Sequence, residues 1–147
     1  TFTDRIISSV SINKIGFKSI HARAVLDTML ASGIVPQTNV ILGVPEYTVD
    51  DLLHTVDVAL EYVVKGCDLA LNRQLLAYPG APIYESGKYK VVYQKWTHPV
   101  SGKVITIPEY FVPNDPIVAK AMDVFDAEAQ KELDKVIKKM NWELQII

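Results

Sequence analysis

The sequence predicts an α/β protein, in which a helix–strand–helix–strand run is followed by a β-hairpin and a long C-terminal helix. Three observations carry this. Apolar residues recur at helical spacing from Ser19 and again from Val49. A short strand-like run follows each of these helices, at Thr38 to Leu42 and at Asp68 to Leu76. Two β-rich runs then flank a turn that contains His98-Pro99-Val100-Ser101-Gly102.

Taken in order, Asp4 to Ser11, with Ile6, Ile7 and Val10, reads as a short strand, and Asn13-Lys14-Ile15-Gly16 as a turn. From Ser19, the residues Ala22, Val25, Leu26, Met29 and Leu30 follow the i, i+3, i+4, i+7, i+8 spacing of one helix face. Gly33 stands where a C-terminal glycine is expected. Thr38 to Leu42 has apolar residues at successive positions, the pattern of a parallel strand covered on both faces. It ends at Gly43, passes through a loop holding Pro45, and meets Thr48, with Asp51 three residues on. Thr48 accepting from the third helical N–H while Asp51 reaches back makes a capping box, so the second helix begins close to Thr48. It runs to about Val64, offers Leu52, Leu53, Val56, Ala59, Leu60, Val63 and Val64 to the core, and stops at Gly66. Short connections between alternating helices and strands signal a parallel sheet; periodicity does not separate an open sheet from a barrel.

After Tyr78-Pro79-Gly80-Ala81-Pro82 the character changes. Tyr89 to Trp96 and Lys103 to Ile107 form the hairpin, which is expected to cover an edge or an end of the sheet. Pro108, Pro113 and Pro116 mark an extended connector, and Asn114 or Asp115 caps a final helix with Pro116 at its first position. Val118, Met122, Phe125, Ala129, Leu133, Val136 and Met140 form its apolar stripe. Residues 1–86 thus make an α/β part and residues 87–147 a hairpin-and-helix extension.

At 147 residues the chain holds one domain or part of one. It is shorter than a complete eight-stranded α/β barrel, which takes roughly 200 residues or more. Apolar residues at 49%, charged residues at 22% and a net charge of −2 favour neither disorder nor a nucleic-acid partner. No apolar run reaches the roughly 18 residues of a membrane span, and no membrane partner is expected. Cys67 is the only cysteine, which excludes an internal disulfide and fits a reducing, cytoplasmic setting. The opening TFTDRIISSV enters strand-like sequence with neither a Met nor a polar lead-in, and reads as a start partway through a larger domain; a Thr exposed by initiator-Met removal is the alternative.

Function is expected where strand ends and helix starts converge, beyond the carboxyl ends of parallel strands. That places a ligand edge at Gly43 to Glu46. Gly43 permits close backbone approach or a positive φ. Glu46 is a candidate acceptor for a ligand hydroxyl or amine. In the next strand Asn72, Arg73 and Gln74 follow a core-like Leu69-Ala70-Leu71, and three long polar side chains at the end of a buried strand call for partners or ligand. Tyr78 either points at a pocket or packs under the helix that follows. His21, His54 and His98 have no metal-ligand spacing, and Cys67, at the opposite end of its strand, reads as a small buried hydrophobe. The phosphate-loop, dinucleotide-fingerprint, nucleophile-elbow and zinc-helix motifs are absent.

The order Ala31-Ser32-Gly33-Ile34-Val35, then Asn39 through Asp51 with Thr55, then Leu75-Leu76-Ala77-Tyr78-Pro79-Gly80-Ala81-Pro82-Ile83-Tyr84, resembles the second half of a radical S-adenosylmethionine (radical SAM) domain. The likeness covers about residues 6–86, includes Asn13-Lys14, and is strongest to the iron–sulfur oxidoreductase branch, in which a cobalamin-binding module often precedes the barrel. It implies a partial parallel β/α barrel whose strands are the fourth, fifth and sixth. The family's fifth-strand pattern Gly-x-Ile-x-Gly-x-x-Glu falls on Asn39 through Glu46, with Ile41, Gly43 and Glu46 matching and Asn39 replacing the first glycine. By this resemblance Ile41, Leu42 and Gly43 line the adenine side of S-adenosylmethionine, and Gln74 to Leu76 pack near the same base. Ser9 and Ser11 stand where the fourth strand supplies ribose or methionine contacts, although the family's Glu-Ser-Gly-like pattern is missing there.

The three cysteines that hold the family's 4Fe–4S cluster, spaced Cys-x3-Cys-x2-Cys, are not in this chain, and Cys67 is no substitute. The resemblance therefore implies no catalytic or metal-ligating residue here. S-adenosylmethionine and the cluster belong to a parent protein, whose N-terminal barrel half is the expected partner, and the chain alone is expected to be inert. An unpaired strand edge near residues 4–11 would promote self-association. Two other readings stay open. One is a self-contained small α/β ligand-binding or interaction domain in which Asn72, Arg73 and Gln74 read their target without redox chemistry; the other is a piece of an unrelated barrel enzyme.

Overall fold

The computed structural model describes residues 2–9, 12, 14, 16–125, 128 and 131, with backbone alone at 71 and 73. Its elements are α1 (Asp4–Ile7), α2 (Ser19–Ala31), β1 (Gln37–Gly43), α3 (Val49–Val64), β2 (Asp68–Gln74), α4 (Pro82–Glu85), β3 (Val91–Thr97), β4 (Val104–Phe111) and a helical run, α5, over residues 116–125. The strands form two pairs. β1 and β2 are parallel and joined through α3, whereas β3 and β4 are an antiparallel hairpin.

The main core lies between the parallel pair and the helices. Val40 and Leu42 of β1 pack with Leu26 of α2, with Val58, Ala59 and Tyr62 of α3, and with Met122 of α5. The other face of the pair is more open, with Asn39 and Asn72 exposed and Ile41 half-buried. The expectation that both strand faces are covered is thus corrected: alternation puts Val40 and Leu42 in the core while their neighbours face away. On α3 the buried set is Asp51, Thr55, Val58, Ala59 and Tyr62, while the expected core residues Leu53, Leu60, Val63 and Val64 are exposed.

α2 and α3 end in the same way. Gly33 (φ 74°) donates to Leu30 O and Ile34 N to Met29 O; Gly66 (φ 105°) donates to Val63 O and Cys67 N to Tyr62 O. Each pair of bonds is a Schellman closure, and its positive φ is what requires glycine at the position. α3 starts with the expected capping box: Thr48 Oγ1 accepts from Asp51 N at 3.3 Å, and Asp51 Oδ2 accepts from Thr48 N at 2.9 Å.

The N-terminal segment departs from expectation. Asp4 to Ile7 is a single helical turn rather than a strand, because it serves tertiary contacts that β geometry would not satisfy. Adjacent Ile6 and Ile7 are both buried, Asp4 Oδ1 accepts from Ser19 N at 2.6 Å at the start of α2, and Arg5 reaches α3. The expected free strand edge is therefore not formed at residues 4–9, and the rest of that reading, at residues 10 and 11, lies outside the described residues.

The hairpin docks on the chain just after β2. Leu76 bridges Tyr110, Phe111 N donates to Leu75 O at 2.9 Å, and Ala77 N donates to Glu109 O at 3.0 Å. Pro108 lies inside β4 opposite Tyr93, at a register shift, rather than in a connector. A proline there removes a ladder donor, and a bulge accommodates that loss. Asp115 Oδ1 caps α5 through Ile117 N (2.8 Å) and Val118 N (3.3 Å), with residue 116 the first helical position. The stripe positions Ala129, Leu133, Val136 and Met140 lie outside the described residues. Among the described residues no helix is long and apolar enough to cross a membrane.

Candidate functional site

Parallel register sets the two strand ends side by side, with Ile41 level with Asn72 and Gly43 level with Gln74. Four of the expected ligand positions therefore meet at one end of one sheet. Leu75 N extends the ladder by donating to Gly43 O at 3.3 Å. Gly43 is buried, belongs to the extended strand and does not adopt a positive φ.

The loop that follows is fixed by partners distant in sequence. Val44, Pro45 and Tyr47 are buried. The Tyr47 hydroxyl donates to Ile41 O at 3.1 Å and lies 3.2 Å from Thr55 Oγ1, which ties the loop to the strand before it and the helix after it. Asn114 N donates to Pro45 O at 2.9 Å. Arg5 Nη2 donates to Glu46 O at 3.0 Å and forms an ion pair with Asp51 Oδ2. Burial alone would push the Asp51 carboxyl up, but the Thr48 N–H and hydroxyl and the Arg5 guanidinium outweigh it and hold the group below the usual aspartate range. On the other side, Tyr89 OH donates to Glu46 Oε1 at 2.6 Å.

The remaining expected positions separate. Leu42 turns into the core against α3, because it sits one residue out of phase with Ile41, so its side chain does not form part of a wall. Glu46 accepts from Tyr89 on the hairpin side of the chain. Leu76 is half-exposed on the hairpin side, and Gln74 borders a cleft of about 200 Å3 with Lys90, Tyr110, Ala119, Met122 and Asp123. Tyr78 is exposed and lines a shallow cavity with Leu76, Gln94 and Ile107; it does not pack beneath α4. Among the described residues Ser9 Oγ is buried without a hydrogen-bond partner, whereas Ser11 and the Arg73 side chain lie outside the described residues. His21 Nδ1 accepts from Lys18 N at 3.2 Å, and Cys67 is a buried free thiol at the start of β2.

Sequence reasoning missed the Arg5–Asp51 and Tyr89–Glu46 pairings. A signal was present for the first: Asp51, on the capping position of a helix start, is an acid that becomes buried, and buried acids require a partner. Chemically, the edge offers a half-buried aliphatic floor at Ile41 and an exposed amide at Asn72, with Gly43 buried between the strand ends. Among the described residues no three His, Cys, Asp or Glu side chains are grouped to hold a metal ion. Comparison with protein-family models, curated proteins and solved structures returned no match to this chain.

Proposed function

We propose that the chain is the C-terminal part of a radical SAM barrel and supplies one wall of its S-adenosylmethionine site. The observation that supports the reading is the parallel register of β1 and β2 across α3, which sets Ile41 and Gly43 against Asn72 and Gln74 at one sheet end. In this reading the purine lies against Ile41 and Gly43, and the Asn72 amide, a donor and an acceptor together, addresses its edge. The iron–sulfur cluster does not fit this chain, whose single thiol is buried at the far end of β2. Three thiolates must come from the rest of the parent polypeptide, and no reaction step is assigned to residues here.

The test begins with the gene product that contains this chain. It should carry a Cys-x3-Cys-x2-Cys triad upstream, show iron–sulfur absorption after anaerobic reconstitution, and cleave S-adenosylmethionine reductively. Gly43→Val and Asn72→Ala should each raise the KM for S-adenosylmethionine by roughly ten-fold or more without altering the iron–sulfur spectrum. A full-length product without the triad sinks the reading. One observation favours the alternative of a self-contained binding domain without redox chemistry: Arg5, Asp51 and Glu46 all find partners within the chain, so the loop needs no ligand to be complete.

A further inference from the structure

The hairpin has a charge balance unlike that of the rest of the molecule. Residues 86–108 hold Lys88, Lys90, Lys95 and Lys103, four of the chain's fifteen basic residues, and none of its seventeen acidic ones. All four are exposed. Several basic side chains elsewhere sit on carboxylates: Arg5 on Asp51, Arg23 on Glu61 at 2.6 Å, and Lys65 on Glu61 at 2.8 Å and Asp27 at 3.3 Å. Among the described residues the four hairpin lysines have no such partner, although Lys90 shares its cleft with Asp123.

The same ribbon exposes apolar side chains towards its tip. Val100 is 90% exposed, and Tyr93, Trp96, Val104 and Ile105 are all exposed behind it. Register places Trp96 beside Ile105 on one face, while Lys95 pairs with Thr106 on the other. The tip is also held in shape. His98 N donates to Lys103 O at 2.8 Å, His98 Nδ1 accepts from Val100 N and Ser101 N, and Gly102 turns the chain at φ 66°. Trp96 meets the His98 ring edge-on at 5.4 Å.

We propose that this hairpin is a docking surface for an anionic lipid bilayer, its apolar tip entering the interfacial region while Lys95 and Lys103 meet the headgroups. Lysines attract such a surface as point charges, their stems lie along its apolar boundary, and tryptophan and tyrosine favour the interface. A nucleic acid fits less well. The hairpin has no arginine for bidentate phosphate or base contacts, and Val100 at its tip offers no ring on which a base could stack. This inference is independent of the S-adenosylmethionine reading, because none of its residues belongs to that edge.

The test is co-sedimentation of the full chain with phosphatidylcholine vesicles, with and without phosphatidylserine. Binding is expected only to the anionic vesicles and should fall in high salt, where screening lengths shrink. Lys95→Gln and Lys103→Gln should each weaken partitioning about five-fold. Val100→Asp should weaken it by roughly ten-fold, and Lys120→Gln on α5 should leave it unchanged. Circular dichroism confirms that these exposed-site variants stay folded. Equal binding to both vesicle types, no binding to either, or tighter binding of a single-stranded oligonucleotide would each overturn the proposal.

Discussion

Asp51 shows how one residue serves two structural tasks. It caps α3 through Thr48, anchors Arg5 from the N-terminal segment, and does so from a buried position beside the strand-end loop. Asp51→Ala removes the cap and the charge-assisted bond together, and should destabilise the protein by about 2 kcal/mol in urea titrations. Arg5→Ala should lose less, about 1 kcal/mol or below, because that guanidinium is half-exposed and the Asp51 carboxylate left behind still accepts from Thr48 N and Thr48 Oγ1. The pH dependence follows from the sign of the Asp51 shift. Its carboxyl is held lower when folded than unfolded, so its contribution is complete above the ordinary aspartate value of about 3.9 and is lost as pH falls further. Wild-type stability should therefore drop below about pH 4 more steeply than that of Asp51→Asn; parallel acid limbs would show that Asp51 contributes nothing there.

At the scale of elements, α2, β1, α3, β2 and the hairpin were legible because their signals are local: apolar spacing, a capping box, and glycines where the chain must adopt positive φ. α1 was not legible, since four residues carry little periodic signal and Ile6, Asp4 and Arg5 are placed by partners elsewhere. The same limit hid which face of α3 is buried. Its apolar residues run almost all round, so periodicity did not choose between Leu60 and Tyr62; the structure chooses Tyr62. Tyr62 is buried, stacks on Phe2 at 6.2 Å, donates to Arg23 O at 3.2 Å, and has the Lys65 ammonium 4.5 Å from its ring centre. Tyr62→Ala should cost about 3 to 5 kcal/mol, whereas Leu60→Ala, at a half-exposed position on the rim of an apolar groove, should stay within about 1 kcal/mol. Comparable losses at the two sites would mean that the groove is filled in solution and that α3 buries both faces.

At the scale of the whole molecule, the placement of the candidate site residues was legible only in part. Ile41, Gly43, Asn72 and Gln74 were brought together as parallel strand ends require, while Leu42 was lost to alternation and Glu46 to a tyrosine 43 positions away. Whole-chain averages also concealed a feature: a net charge of −2 gives no sign of an acid-free hairpin. The architecture implies unequal local stability. β1, β2 and α3 share one apolar core, and their amides open only when that core does. The outer half of the hairpin is a two-stranded ribbon with exposed residues on both faces, a unit of marginal stability by itself. Its base is different, because Phe111 is buried and the ladder there continues through Leu75 and Ala77. Amide exchange should therefore divide the hairpin across its length. Amides at Lys95, Trp96 and Ile105 should exchange roughly a hundred-fold or more faster than those at Val40, Leu42 and Val58, while Phe111 follows the slow group. Uniform slow exchange along β3 and β4 would mean that the ribbon is covered over its whole length in solution, which the exposed Tyr93, Trp96 and Val104 argue against.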